Sequence, residues 1–553
     1  MKNIYLIQLT EGGSGIWHFP YSVAMLQSYC QTISKIRENY KFNIIFRIET
    51  TFKQFVENLE NPFLIGYSSY IWNSKRHLLL AKYVKQQYPK CVNVIGGPSF
   101  PNINQEDSEL FFDKNPFIDA GVSGEGEKAF SSILLKLLNG EKLDRHIRAE
   151  RIDDLNVIPS PYDDIFQELK SKNKDIEFEC TIETDRGCPF KCTFCDWGSL
   201  TQQKIKQFDI DRVFFELKKM SENKIPKLQL ASSNLGIFKK RDFEIVDYLC
   251  SLHEDTGYPQ RLTESGISKT PNNKNSNVQI RKRLKTAFKE YYHSPRIFLQ
   301  SSNEEVLKNI RRVDTYKNDL ELFKDENYQT VLELLFPMPG HNYDIFTTDA
   351  TSHMTDEQFV THVMPVIMLP NAPMNDKFYR EKYNIKTIPV PWGEWMADYP
   401  QMNEVIETVE LLISFNDLSF DDTKKCWMFL WIINSFYTLK RIKTFSLSMS
   451  EYGLSEENSI QIDLSNIFFE KTNQLVTDTE YTHKDIFVKF QDFLETDFNA
   501  ISHMYDNLKE LLYTEDVGTF KKCNRPYLFY DQKFYKKYEK DFKQTIKRFF
   551  HAL

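Results

Sequence analysis

Glycine and proline are scarce, 19 and 22 in 553 residues, which excludes a collagen-like or low-complexity chain. Neither sign of charge dominates. Acids number 77 and bases 70, a net charge of −7, and no long basic stripe of the kind that neutralises a nucleic-acid backbone is present. Long hydrophobic runs are missing too: the longest, Cys426 to Ile433, falls far short of the roughly 20 residues that cross a bilayer. No membrane span and no clear nucleic-acid partner are therefore expected. The opening MKNIYLIQLTEGG is interrupted by Gln8 and Glu11 too soon for a secretory signal and suits a buried first strand. A cytoplasmic location follows as the expectation.

What is present is an ordinary folded composition, 41% hydrophobic and 27% charged, long enough for about three to four domain-sized units. Residues 1 to about 130 alternate short apolar runs with helical patterns: Ile4 to Leu9, Tyr21 to Ile33, Phe63 to Tyr67, Leu78 to Tyr88 and Val92 to Ile95. This rhythm predicts an α/β domain, a doubly wound parallel sheet with helices on both faces. Turns SSYIWN, GGPSFP and SGEGE follow later strands and mark the rim where ligands bind such sheets.

A proline-rich link, IPSPYDD at Ile158 to Asp164, separates this unit from a second. There, strands are expected at Cys180 to Thr184, Leu228 to Leu230, Ile297 to Leu299 and Val331 to Leu335, which suggests a partial or full β/α (TIM-like) barrel over about 151–375. Ile210, Val213, Phe214, Leu217 and Met220 predict a helix begun by Asp209 and Asp211 as cap and dipole partners. The polar PNNKNSN at Pro271 to Asn277 suggests an exposed loop. Beyond LPNAP at Leu369 to Pro373 the sequence becomes aromatic-rich and mainly helical, a third region of about 376–553 that carries no chemical motif.

Of nine cysteines, Cys30, Cys91, Cys180, Cys250, Cys426 and Cys523 are scattered without pairing rhythm, as reduced thiols are. The other three, Cys188, Cys192 and Cys195 in ETDRGCPFKCTFCDWGS, are spaced CxxxCxxC, a triplet that chance places in roughly two or three such chains per thousand. Three thiolates on one loop can hold three irons of a cubane and leave the fourth open. A structural zinc site wants four closed ligands, for which no second CxxC is at hand, and a disulfide would leave one thiol over.

With Phe194 before its last cysteine, this segment resembles the signature of the radical S-adenosylmethionine superfamily. The resemblance implies a 4Fe-4S cluster on Cys188, Cys192 and Cys195, with S-adenosylmethionine on the open iron. Later segments agree in order. ASSNLGIF (Asn234, Gly236) resembles the second-strand end, FLQSSNEEVLKNIRR the fourth-strand segment (Gln300, Ser301), and LELLFPMPGHNYD a later strand and turn in which Glu333 is a candidate for a ribose hydroxyl. These residues become candidate S-adenosylmethionine contacts with Phe194. Two departures stand out: no Gly-Gly-Glu follows the second strand, and the family's Gly-x-Pro-Gly-Glu is Pro337, Met338, Pro339, Gly340, His341 here.

Residues 1 to about 150 resemble the cobalamin-binding domain that precedes many such barrels, through FPYSVAMLQSYC, IGYSSYIWNS, VIGGPSFPN and GVSGEGEKAF. Ser68, Ser69, Gly96, Gly97, Pro98, Gly124, Glu125, Gly126 and Glu127 are the candidate cobalamin contacts on this resemblance, small residues among them letting backbone approach a flat macrocycle. The ligating DxHxxG is absent, and resemblance to members without that ligand implies Tyr70 or Trp72 near the lower face of cobalt, with an ordinary buried aromatic as the alternative.

Together the resemblances imply a cobalamin-dependent radical S-adenosylmethionine enzyme that methylates an unactivated carbon. The alternatives are rearrangement, cyclisation or oxidation with the same cofactors, and a non-enzymatic cobalamin sensor. The implied partners are a small-molecule or peptide substrate and an external electron donor such as flavodoxin or ferredoxin. No catalytic side chain is assigned, and the 376–553 region is expected to cover the substrate.

Overall fold

The computed structural model describes residues 1–10, 12–13, 15–101, 105–197, 204–264, 274–289, 296–312, 330–354, 359–391, 404–433, 459–496, 543–550 and 553. The chain divides into two compact units. The first comprises Met1–Tyr292, Met368–Tyr379 and Pro391–Glu410, the second His293–Ile367, Arg380–Val390 and Leu411–Leu553.

The first unit holds the expected doubly wound sheet. Its elements run β1 (Lys2–Ile7), β2 (Gly12–Gly13), β3 (Ile16–His18), α1 (Tyr21–Gln31), α2 (Ser34–Asn39), β4 (Tyr40–Ile45), α3 (Phe52–Glu57), β5 (Pro62–Ser68), α4 (Ser74–Gln87), β6 (Val92–Gly96), α5 (Gln105–Lys114), β7 (Ala120–Ser123), α6 (Gly126–Leu138) and β8 (His146–Arg148). Six strands pair in the order β4-β1-β5-β6-β7-β8, all parallel. Both faces are covered: Ile4 and Leu6 of β1 pack with Phe130 and Ile133 of α6, while Tyr5 and Ile7 pack with Leu80 and Val84 of α4. This two-sided burial is why the strand sequences read as continuous apolar runs. Strand order reverses between β1 and β5, which opens a crevice beyond their carboxyl ends.

The same unit continues through α7 (Asp164–Lys172), β9 (Glu177–Ile182), β10 (Asp185–Arg186), β11 (Lys206–Gln207), α8 (Ile210–Glu222), β12 (Lys227–Leu230), α9 (Lys239–Thr256), β13 (Arg261–Glu264) and α10 (Lys274–Phe288). β9, β12 and β13 are parallel neighbours, and β3 adds in parallel on the other edge of β9, so the N-terminal segment serves both sheets. Asp209 occupies the N-cap of α8, but its side chain makes no capping hydrogen bond; its backbone N–H instead donates to Asn156 Oδ1 at 2.8 Å. The loop expected at Pro271 to Asn277 is corrected in part. Residues 271–273 lie outside the described residues, whereas Lys274 onward is helix with Ile280 and Leu284 fully buried, an apolar spacing that outweighs the polar start.

The second unit contains β14 (Arg296–Gln300), α11 (Glu304–Asn309), β15 (Thr330–Phe336), the helix Tyr343–Thr351 and β16 (Phe359–Pro365), with β14-β15-β16 a parallel sheet. Helices Phe420–Ile433, Ser459–Asp478 and His483–Thr496 follow, together with strand Thr408–Ser414, most of which lies in this unit. The apolar run Cys426 to Ile433 is helical, with Cys426, Met428, Phe429, Ile432 and Ile433 buried. Among the described residues, no helix is long and apolar enough to cross a membrane, and every cysteine is free.

Candidate functional site

The crevice predicted by the strand reversal is a cavity of about 620 Å³ in the first unit. Gln8 and Thr10 reach it from beyond β1, and Ser68, Tyr70 and Trp72 from the end of β5. Gly96, Gly97 and Pro98 line it after β6, and Gly124, Glu125, Gly126 and Glu127 after β7. Thr181, Glu183, Asp185 and Arg186 border it from β9 and its exit, with Gln229 and Ala231 from β12. Ten of the eleven positions singled out on the N-terminal resemblance thus face one space. Ser69 does not: it is fully buried behind the wall.

Ser69 shows how the wall is built. Its N–H donates to the Gly96 carbonyl at 2.7 Å and its carbonyl accepts from Ser99 N–H at 3.0 Å. Gly97 sits directly over this pair at φ +96°, where an added Cβ would lie 2.7 Å from the Ser69 carbonyl oxygen. Only glycine accepts both the left-handed backbone and the close approach. Tyr70 and Trp72 stack with ring centroids 4.5 Å apart and planes inclined by 13°, a flat apolar platform on the cavity wall. A space bordered by glycine turns and a paired aromatic surface fits a large planar ligand.

Two of the candidates, Glu125 and Glu127, are occupied by protein partners. Arg186 Nη1 lies 2.8 Å from Glu127 and 4.0 Å from Glu125, and its Nε lies 2.9 Å from Glu183. Arg151 bridges to Glu125 at 3.1 Å, whose other oxygen accepts from Ile152 N–H at 2.9 Å. Burial disfavours the Arg186 cation, and Glu127 and Glu183 more than offset this, raising its pKa. Burial pushes the Asp185 carboxyl up to about 6, against hydrogen bonds from Ser232 and Thr184 that favour its charge. The Tyr21 hydroxyl is buried and has no hydrogen-bond partner, and burial drives its pKa well up.

Immediately after Arg186 comes the cysteine loop. Cys188, Cys192 and Cys195 are all half-buried, and Cys195 N–H reaches the Cys192 carbonyl at 3.4 Å. Burial, then the neighbouring Cys192 and Cys188, push the Cys195 thiol up to about 12. Three thiols on one short loop match the donor set of a cubane cluster; among the described residues no group of three or more His, Cys, Asp or Glu is arranged as a single-ion site. Asn234, beyond β12, brings its Nδ2 to 3.5 Å from Cys188 Sγ. Its neighbour Ser233 donates to the Gly187 carbonyl at 2.7 Å, so the second-strand end props the cysteine turn. Gly236, at φ +95°, leaves room for Asn277, whose Oδ1 would stand 2.5 Å from an added Cβ. Phe194 is half-buried on the same loop.

Gln300, Ser301 and Glu333 belong to the second unit. Gln300 ends β14 at φ +67° with its Oε1 buried and unpartnered. The Ser301 and Ser302 hydroxyls both donate to Asp349. His341 Nδ1 accepts from Met338 N–H at 3.0 Å, which leaves Nε2 as the protonated nitrogen 3.3 Å from Asp349. Burial raises the Asp349 carboxyl, but His341, Ser301 and Ser302 together hold it below its ordinary value. Ser301 and His341 therefore tie the β14 exit to the loop after β15. Glu333 pairs with Arg296 at 2.5 Å.

Sequence reasoning missed Gln8, Tyr21, Ser22, Arg186 and Trp197 as cavity residues. Trp197, two positions past Cys195, carried a signal in its nearness to the triad. Arg186 lay inside the quoted motif; the others come from segments whose apolar spacing gives no hint of the crevice.

No protein-family model matches the chain. It is 26% identical over 455 residues to the 2-(S-pantetheinyl)-carbapenam-3-carboxylate methyltransferase of Streptantibioticus cattleyicolor, covering 78% of this chain. The cobalamin-dependent radical SAM methyltransferase TokK of Streptomyces tokunonensis matches to the same extent. In each case the match covers 64% of the relative's length. Among solved structures, the cobalamin-dependent S-adenosylmethionine radical enzyme OxsB, with aqua-cobalamin and S-adenosylmethionine bound, superposes with a TM-score of 0.57 at 15% identity, covering 100% of this chain and 84% of that one. In sequence the chain is a relative of the cobalamin-dependent radical S-adenosylmethionine methyltransferases, and it shares the α/β fold of OxsB.

Proposed function

We propose that the protein is a cobalamin-dependent radical S-adenosylmethionine enzyme that methylates an unactivated carbon of a small molecule, the class to which the carbapenam in its relative's name belongs. One observation carries the reading: the glycine turns of the N-terminal sheet and the exit of β9 through Arg186, two residues before Cys188, border a single cavity. When bound, the cluster and S-adenosylmethionine would supply a hydrogen-abstracting radical, and cobalamin the methyl group.

On this reading Cys188, Cys192 and Cys195 hold the cluster, and Asn234, Gly236 and Phe194 border it. Gln300, Ser301 and Glu333 are proposed contacts of S-adenosylmethionine. The turns at Ser68, Gly96, Gly97, Pro98, Gly124 and Gly126 admit the macrocycle, and the Tyr70–Trp72 stack excludes water from one of its faces. Glu125 and Glu127 act through their arginine partners, fixing the turn rather than touching the ligand. Residues 1–150, 151–375 and 376–553 take the cobalamin, radical and substrate-covering roles, in the cytoplasm and with an external one-electron donor such as flavodoxin or ferredoxin.

The test is anaerobic reconstitution with iron, sulfide and cobalamin, followed by measurement of 5′-deoxyadenosine, S-adenosylhomocysteine and product mass. Methylation predicts both nucleosides and a product heavier by one methylene unit. Deoxyadenosine without S-adenosylhomocysteine would assign a rearrangement, cyclisation or oxidation instead. Cobalamin binding with no cleavage would make the protein a sensor.

A further inference from the structure

Two sets of contacts join the proposed cobalamin turns to the cysteine loop. The first is the buried Arg186 cluster: the residue two positions before Cys188 grips Glu127, the second residue of α6, while Arg151 holds Glu125 and donates to the Arg186 carbonyl at 3.3 Å. The second is the returning segment Met368–Tyr379. Asn371 Nδ2 donates to the Pro98 and Phe100 carbonyls, at 2.8 Å each, and so clasps the turn that begins at Gly96. Three residues on, Met374 N–H donates to the Thr193 carbonyl at 2.7 Å, and the Thr193 hydroxyl donates to the Tyr379 oxygen at 3.2 Å. Thr193 lies between Cys192 and Cys195 and is fully buried.

We propose that Asn371 and Arg186 are positioning residues that couple the two cofactor sites, so that filling either one tightens binding at the other. This rests on the function proposed above. Ordering a loop costs conformational entropy. Where two loops are tied at both ends, the first ligand bears part of the ordering cost of the second, which yields positive cooperativity without a large structural change. By linkage the effect is reciprocal.

The experiment uses the full chain, prepared anaerobically. Cobalamin is titrated by its absorbance into protein with the cluster assembled and into iron-free protein, and the ratio of the two dissociation constants is the readout. In the reverse arm, iron loss to a chelator is timed with and without cobalamin. For the unaltered protein the ratio is expected to be about fivefold or more. Asn371→Ala and Arg186→Lys should each lower it, and the combined variant should bring it near one. Should the combined variant fold poorly, Tyr379→Phe, which removes one hydroxyl, should lower the ratio alongside Asn371→Ala. A ratio of one in the unaltered protein, or a ratio indifferent to these substitutions, overturns the coupling while leaving the proposed function standing. A chain that binds neither cobalamin nor iron and sulfide overturns both.

Discussion

Replacing Gly97 with alanine tests the construction of the cavity wall. At φ +96° a Cβ-bearing residue pays roughly 1–2 kcal/mol for the left-handed backbone alone. The new methyl would also lie 2.7 Å from the Ser69 carbonyl oxygen and 2.9 Å from its nitrogen. Those are backbone atoms that cannot rotate away, so the β5 exit must shift. That movement strains the Ser69–Gly96 and Ser99–Ser69 hydrogen bonds, each worth about 1 kcal/mol. The expected loss is about 3–4 kcal/mol. Gly140 provides the control within the same unit: its φ is +75° and nothing lies within 4 Å of an added Cβ, so Gly140→Ala should cost only the backbone share, roughly 1–2 kcal/mol. Urea denaturation of the two variants side by side separates contact from conformation, and cobalamin titration should show Gly97→Ala weakened by about tenfold or more. If Gly97→Ala proves no less stable than Gly140→Ala, the two turns do not meet as described and the cradle argument fails.

Arg186→Gln leaves the buried Glu127 and the half-buried Glu183 carboxylates without their cation and should destabilise the first unit by about 3 kcal/mol, read as a lowered denaturation midpoint; an unchanged midpoint would mean that the cluster contributes nothing net. Asp185, with its folded pKa near 6, binds a proton more readily folded than unfolded, so its effect is absent below the unfolded pKa of about 4 and destabilises progressively as pH rises through 6. Asp185→Asn should therefore gain stability relative to the parent between pH 4 and 7, by about 3 kcal/mol at most, in denaturation curves run across that range; parallel curves would refute the burial argument. Replacing Cys188, Cys192 and Cys195 together with alanine should abolish iron and sulfide binding and deoxyadenosine formation while leaving cobalamin bound. Retained cleavage in that variant would reject the cluster assignment.

Much of this protein follows from local pattern. The strands at Lys2–Ile7, Pro62–Ser68 and Val92–Gly96 declare themselves as apolar runs because both sheet faces are covered, and α8 shows its face at three and four spacing because one side alone is buried. The cysteine triad is legible for the same reason: its chemistry depends on spacing within one loop. Pairing across the sheet is not written in any segment. That Tyr40–Ile45 joins β1 on the far side from β5, and so opens the crevice, depends on which helices cover which face. The parallel addition of Ile16–His18 to β9 likewise joins residues about 160 positions apart, where nothing local encodes a partner. Arg186, Tyr21 and Asn371 owe their places to such long-range closure. Sequence thus determined the reactive group and the kind of sheet that accompanies it, because both are set by neighbours along the chain. Tertiary structure alone decided which turns share one cavity with the strand exit that leads into that group, because that depends on burial shared between distant segments.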